Sequence, residues 1–252
     1  MIDPIYYTLS LVLAKRDNSA IKKIESLLPA AVHTRILSES KAVEWDFPNT
    51  AFTHIRDTIS RELPKSGILA DYAIQPTENR RAALLVCDMD STLIGQECID
   101  ELADYAGVKD EVSEITMAAM QDDIDFETAL IERVKLIKDI PISILQQCYN
   151  ERIRLNPGAQ ILGHTMTAKG AKTVILSGGF TFFTSRIAAL AGFSEHQANE
   201  LYHDGDKLLG TVRQPILGAK AKQAALQYYA PYPPNPRNKV IAIGDGPMTF
   251  IC

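Results

Sequence analysis

The chain has 252 residues, 46% of them hydrophobic and 23% charged, with a formal net charge of −5. This is the composition of a chain that buries a core, and it excludes wholesale disorder. Without a Lys/Arg cluster it also excludes a nucleic-acid surface and leaves any bound phosphate to a few local groups. The start, Met-Ile-Asp-Pro-Ile-Tyr-Tyr, carries no signal-type apolar core, and no apolar run reaches the length of a membrane span. A cytoplasmic location without membrane contact is therefore the expectation. Cys87, Cys98, Cys148 and Cys252 are widely spaced and form no CxxC pair, so reduced thiols are expected rather than a zinc site or a disulfide framework.

Residues 1–76 alternate between period-two and period-3.6 patterns. Ile5–Ala14 reads as a strand, Ser19–Leu28 as a helix, Ala31–Glu39 and Ala42–Asp46 as strands, Thr50–Leu63 as a helix and Ala70–Ile74 as a strand. The order βαββαβ is that of a ferredoxin-like α+β domain. It contains no catalytic constellation; His33 and His54 have no partner at ligand spacing and read as surface or core histidines. Pro76 to Arg81 form a polar linker.

The run Ala83–Cys87 is short and unbroken, as in a strand buried on both faces of a parallel sheet, and Asp88 and Asp90 stand at its tip. Two acids so close repel each other unless a cation absorbs the charge. Hard oxygen donors without nitrogen or sulfur favour Mg²⁺. The plain alternative is a helix start capped by Asp88, Asp90, Ser91 or Thr92.

Helical patterns follow over Glu97–Ala106, Lys109–Met120, Asp125–Lys138 and Ser143–Asn150, so the stretch from about 94 to 155 reads as a helical cap inserted after the first strand. Pro157-Gly158 closes it. Alternation then resumes with helix Ala159–Lys169, strand Thr173–Leu176, helix Phe180–Ala191, a hairpin around Asp204-Gly205-Asp206, helix Ala219–Tyr229, a Pro-rich loop from Pro231 to Pro236 and strand Val240–Ile243. The fold class is α/β, a core over 82–252 preceded by the α+β domain.

Three strand tips carry polar chemistry: Asp88 with Asp90, Ser177-Gly178-Gly179, and Asp245. Two glycines before a helix let backbone N–H groups approach an anion, and Ser177 adds a hydroxyl; a plain strand-to-helix turn would use the same residues. Lys222 alone reads as a surface helix lysine, and Arg133 alone either as a carboxylate clamp or as an ion pair with Glu132.

Taken in order, Asp88-Met89-Asp90-Ser91-Thr92, Ser177-Gly178-Gly179-Phe180, and Ala221-Lys222 with Gly244-Asp245-Gly246 resemble the three motifs of the haloacid dehalogenase superfamily, and within it the phosphoserine phosphatase branch. The resemblance covers Leu84 to Gly246, including the cap residues Glu97 to Glu101, Met120, Asp125-Phe126 and Glu132 to Val134. It implies a Rossmann-like core and Mg²⁺-dependent hydrolysis of phosphoserine, the last step of serine biosynthesis, through an aspartyl-phosphate on Asp88, with Asp90 as acid and base. It further implies Mg²⁺ on Asp88, the Asp90 backbone carbonyl and Asp245, and phosphate held by Ser177, Gly178, Gly179 and Lys222. Arg133 and Glu97 would meet the substrate carboxylate and ammonium, and Met120 and Phe126 would exclude water.

The pattern departs from the family after Gly246, where Pro247-Met248-Thr249 replaces Ala-Asn-Asp and the chain stops seven residues past Asp245. A shortened chain would leave Val240–Ile243 as an uncovered apolar edge, ready to pair with a second copy as a homodimer, and would weaken Mg²⁺ binding at Asp245. The alternatives are then an impaired remnant or regulatory ligand binder, or a phosphatase for another small phosphate ester.

Overall fold

The computed structural model describes residues 6–78, 80–121, 123–230 and 239–245. The Pro-rich loop and the residues from Gly246 onward, including Pro247, Met248 and Thr249, lie outside the described residues. The chain divides into two compact units, Met1–Arg81 and Ala82–Cys252.

The first unit runs β1 (Tyr6–Leu13), α1 (Asn18–Glu25), β2 (His33–Ser38), β3 (Ala42–Pro48), α2 (Phe52–Lys65) and β4 (Ala70–Pro76). Its antiparallel sheet has the order β2-β3-β1-β4, the split βαβ arrangement. Alternation along the strands sends Leu9, Leu11 and Leu13 of β1 and Val43, Trp45 and Phe47 of β3 into one core with Ile24, Ile55 and Ile59 of the helices. Asp17 caps α1 by accepting from the N–H groups of Ser19 and Ala20, at 2.8 and 3.0 Å.

The opposite strand positions carry Thr8, Ser10, Glu44 and Asp46, and here the polar residues are buried: Glu44 is 6% and Asp46 3% exposed. Arg35 pairs with both acids, at 3.1 and 2.7 Å, and Arg80 pairs with Glu44. Against the penalty of burial, bonds from Arg35 and Thr8 hold the Asp46 carboxyl below its ordinary value. The Arg80 bond lowers Glu44 from 4.5 to about 2.

A folded-state value below the unfolded one contributes stability that is complete above the unfolded pKa and is lost as pH falls through the folded one. Glu44 therefore supports this unit by up to roughly 3 kcal/mol at neutral pH, lost between about pH 4.5 and pH 2. Trp45 is the only tryptophan and is buried in this core, so its fluorescence reports the unit directly. In acid titrations the Glu44→Gln variant is expected to lose much of the steep dependence below pH 5; an unchanged acid profile would remove Glu44 from that role.

The second unit contains β5 (Ala82–Cys87), α3 (Cys98–Ala106), α4 (Lys109–Met120), α5 (Phe126–Leu136), α6 (Ser143–Glu151), α7 (Ala159–Ala168), β6 (Lys172–Phe180), α8 (Thr181–Ala191), β7 (Glu195–Asn199), β8 (Leu201–His203), β9 (Leu208–Val212), α9 (Ala219–Tyr229) and β10 (Lys239–Ile243). Its parallel sheet has the order β10-β5-β6-β7. Leu84, Leu85, Val86 and Cys87 are all fully buried in the interior strand β5. Leu84 and Val86 face Ala225, Leu226 and Tyr229 of α9. Leu85 and Cys87 face a larger core that runs through Phe180, Phe183 and Ile187 into the cap residues Leu102, Leu130, Val134 and Leu145. Helices on both faces of a parallel sheet make this a Rossmann-like layer structure.

Two features differ from the sequence expectation. Strand β7, Glu-His-Gln-Ala-Asn, carries no strand pattern: it is polar, and it stands as a strand because it pairs with β6 at the edge of the sheet among the described residues. Strand β6 runs on through Ser177-Gly178-Gly179 to Phe180, past the expected end at Leu176, with a register shift between Leu176 and Phe180.

The cap begins and ends at one point, where Ile94 bridges Leu155 and the Asn156 N–H donates to the Leu93 carbonyl at 2.8 Å. The β8-β9 hairpin packs along the cap, with the Leu208 N–H donating to Ile140 at 3.0 Å and the Asp139 N–H to Leu208 at 2.9 Å. At the far side of the described sheet, Val240 and Ile241 of β10 are 38% and 39% exposed. No helix among the described residues is long and apolar enough to cross a membrane.

Candidate functional site

Parallel pairing brings the tips of β5, β6 and β10 to one end of the sheet. The Asp88 N–H donates to the Ile243 carbonyl at 2.9 Å, which sets Asp88 beside the loop that carries Asp245. Asp88 is buried; its carboxylate accepts from the Met89 N–H at 2.8 Å through Oδ1 and forms an ion pair with Lys222 through Oδ2. Burial raises the Asp88 carboxyl, and the Lys222 ammonium opposes that rise. Lys222 sits in the first turn of α9 and is itself buried, so it is not the surface lysine its sequence context alone suggests.

Asp90 is turned the other way. Its Oδ1 accepts from the Cys98 N–H at 2.9 Å and its Oδ2 from the Ser177 hydroxyl at 3.1 Å, and burial raises its carboxyl as well. Ser177, fully buried, in turn accepts from the Gly179 N–H at 2.9 Å. That N–H is thus engaged within the end of β6. Gly179 has no room for a side chain: a Cβ there would stand 2.5 Å from Asp90 Oδ2 and 3.1 Å from Ser177 Oγ.

From the cap, Asp125 starts α5 by accepting from Glu127 and Thr128 N–H groups at 2.9 and 3.0 Å, and Phe126 is the first helical residue. Its ring lies against Gly178 and Gly218, where an added Cβ would come within 2.8 and 3.2 Å of ring carbons. The cap therefore touches both the end of β6 and the start of α9.

Glu97, just before α3, accepts from the Ser91 hydroxyl at 2.5 Å. The residue is exposed, yet desolvation by the surrounding protein, with the nearby Asp90 charge, raises its carboxyl to about 7. Arg133 makes no ion pair among the described residues; Glu132 pairs with Lys135 instead. Desolvation lowers the Arg133 pKa, opposed by the charges of Asp100, Glu97 and Asp90. Met120, at the end of α4, is 81% exposed and is not brought to the site.

Asp245 accepts from the Thr92 hydroxyl at 3.5 Å. No cluster of three His, Cys, Asp or Glu side chains among the described residues could hold a metal. Asp88 and Asp245 are the two carboxylates that could hold a hard cation, whose other oxygens would have to come from backbone, water and substrate. With Asp90 turned away toward Cys98 and Ser177, only its backbone carbonyl is left to contribute.

Two residues of this region carry no motif signal. Asn199 at the end of β7 is 2% exposed; it donates to the Gly178 carbonyl at 2.8 Å and accepts from the Leu217 N–H at 2.7 Å, tying the end of β6 to the segment before α9. Thr116 on α4 accepts from Arg133 at 3.3 Å.

Residues 85–248 match the family model of haloacid dehalogenase-like hydrolases. A phosphoserine phosphatase of Archaeoglobus fulgidus is 39% identical over 194 residues, covering 76% of this chain and 56% of the relative, so the match spans little over half of that protein. One from a Polaromonas species is 38% identical over 71% of this chain and 78% of its own length. Among solved structures, a probable phosphoserine phosphatase from Vibrio cholerae superposes with a TM-score of 0.72 at 29% identity, over 98% of this chain and 74% of that one. With acids, hydroxyl and lysine gathered at the carboxyl ends of the β5 and β6 strands and the family match running across the same segment, the chain belongs to the haloacid dehalogenase-like hydrolases.

Proposed function

We propose that the chain is a Mg²⁺-dependent phosphoserine phosphatase that forms an aspartyl-phosphate on Asp88. The observation that carries this reading is the buried pair of Asp88 with Lys222 at the tip of β5, with Asp90 held two residues away by Cys98 and Ser177. An anionic nucleophile attacks an anionic phosphate only where charge is compensated on both sides. Lys222 supplies part of that compensation: it holds the Asp88 carboxylate in the resting protein and moves its bonds to the phosphoryl oxygens as Oδ1 or Oδ2 attacks phosphorus.

Asp90 Oδ2 gives a proton to the serine Oγ as the P–O bond breaks, then takes one from the water that attacks the aspartyl-phosphate. The Cys98 N–H on Oδ1 keeps this carboxyl in one orientation through both steps. Ser177 Oγ, 3.1 Å from Oδ2 in the resting protein, turns to a phosphate oxygen. Bound Mg²⁺, held by Asp88, Asp245 and the Asp90 carbonyl, would neutralise charge between nucleophile and phosphoryl group.

Phe126, seated on Gly178 and Gly218, excludes water above the phosphate. Arg133 and Glu97 read the amino acid. The guanidinium, unpaired with any carboxylate among the described residues, is available to the substrate carboxylate. Glu97 accepts from the ammonium.

Phosphate release from O-phosphoserine tests this. The purified chain with Mg²⁺ is expected to hydrolyse O-phosphoserine at a kcat/KM at least about tenfold above O-phosphoethanolamine, which lacks the carboxylate, and a chelator should abolish both activities. Equal use of the two esters would leave a phosphatase without amino-acid selection.

A further inference from the structure

The guanidinium of Arg133 has five N–H donors in a rigid fork. Its Nε donates to the Ala129 carbonyl at 3.2 Å, one turn back on the same helix, and its Nη1 donates to Thr116 Oγ1 at 3.3 Å on the neighbouring helix α4. The Thr116 hydroxyl proton is already committed, donated to the Val112 carbonyl at 3.0 Å. Thr116 can therefore offer Arg133 only lone pairs, so the direction of the Nη1 bond is set by the backbone of α4. Val112 is fully buried and anchors that stretch.

The consequence is geometric. With Nε occupied, the side-on approach of a carboxylate to Nε and Nη2 is blocked, while the second Nη1 hydrogen and both Nη2 hydrogens stay free for end-on bidentate contact. The Asp100 carboxyl acts on Arg133 electrostatically, and its buried Oδ1 has no hydrogen-bond partner among the described residues, so it does not consume these donors. Without the α4 contact the long side chain keeps only the Ala129 bond and regains rotamer freedom, which substrate binding must then remove.

We propose that Thr116 is a positioning residue for substrate selection: its hydroxyl, wired to Val112, presents Arg133 end-on to the substrate carboxylate. This rests on the reading that Arg133 binds that carboxylate.

Steady-state kinetics of the Mg²⁺-loaded full chain test it with O-phosphoserine and O-phosphoethanolamine as paired substrates. Thr116→Val keeps the branched shape and removes the acceptor. It is expected to raise KM for O-phosphoserine about five- to tenfold with kcat within about twofold, and to move KM for O-phosphoethanolamine less than about twofold. Thr116→Ser, which restores the hydroxyl, should recover most of the loss.

A Thr116→Val variant that weakens both substrates equally, or a Thr116→Ser variant that recovers nothing, would make Thr116 a packing residue and overturn the proposal. Should Arg133→Ala penalise O-phosphoserine selectively while Thr116→Val does not, the Thr116 proposal falls and the carboxylate reading stands. Equal losses on both substrates for Arg133→Ala would remove the carboxylate reading, and the Thr116 proposal with it.

Discussion

Asp88→Asn is expected to lower O-phosphoserine turnover by about a thousandfold or more while leaving the protein folded. The amide is nearly the shape of the carboxylate; its one oxygen can still accept from Lys222, while its NH2 then faces the Met89 N–H, which loses the acceptor it has in Asp88. It cannot form the acyl phosphate at a useful rate, because the nucleophile has lost its charge. Ordinarily, removing one partner of a buried ion pair costs 3–5 kcal/mol, since the other charge is stranded. Here the retained amide oxygen softens that loss, so the melting temperature should fall by only a few degrees. Residual turnover within tenfold of the parent would show that Asp88 is not the nucleophile.

The second large effect falls on a residue with no chemistry of its own. Gly179→Ala places a methyl carbon 2.5 Å from Asp90 Oδ2 and 3.3 Å from the Met89 side chain, which is fully buried. Asp90 cannot swing aside cheaply, because Cys98 and Ser177 hold both its oxygens. A displacement near 1 Å of a group that must donate and accept protons typically costs about a hundredfold in rate, and kcat is expected to carry it. Gly178→Ala is the informative comparison, since its methyl meets the Phe126 ring at 2.8 Å rather than the carboxylate. It should disturb cap seating and raise KM, with a smaller change in kcat. Indistinguishable kinetics for the two variants would mean that the end of β6 responds as a whole and that the Asp90 contact has no special weight.

How far this site was legible from the sequence depends on whether its residues follow strands. Asp88 and Asp90 stand out because Leu84 to Cys87 form an apolar run that only a doubly covered strand explains, and the acids follow at its tip. Lys222 was weaker, since a lysine in a helix names no neighbour; only the fold brings it 134 positions back to Asp88. Met120 shows the limit on the other side: it occupies a motif position, yet α4 ends with it in solvent.

What the sequence could not show was set by tertiary pairing. Strand β7 has neither alternation nor β-branched residues, and it exists because β6 offers it an edge; with it came Asn199 and its two bonds across the site. Thr116 is one threonine on an amphipathic helix until α5 packs beside it and turns Arg133 toward it. In the first unit, Ala42–Asp46 reads as a strand, but nothing in it names Arg35 of β2 and Arg80 of the linker as the groups that pair with Glu44 and Asp46. Periodicity assigns a residue to a face; it does not say what covers that face.

The central claim is a covalent phosphoryl intermediate on Asp88, and its most direct test is to trap it. The Mg²⁺-loaded chain, mixed with O-phosphoserine labelled at phosphorus and quenched in acid during turnover, should retain label that survives acid and is released by hydroxylamine, as an acyl phosphate is. Peptide mapping should place it on the segment containing Asp88, and Asp88→Asn should retain none. Label on a serine or histidine, or steady hydrolysis with no labelled protein at any quench time, would contradict the account.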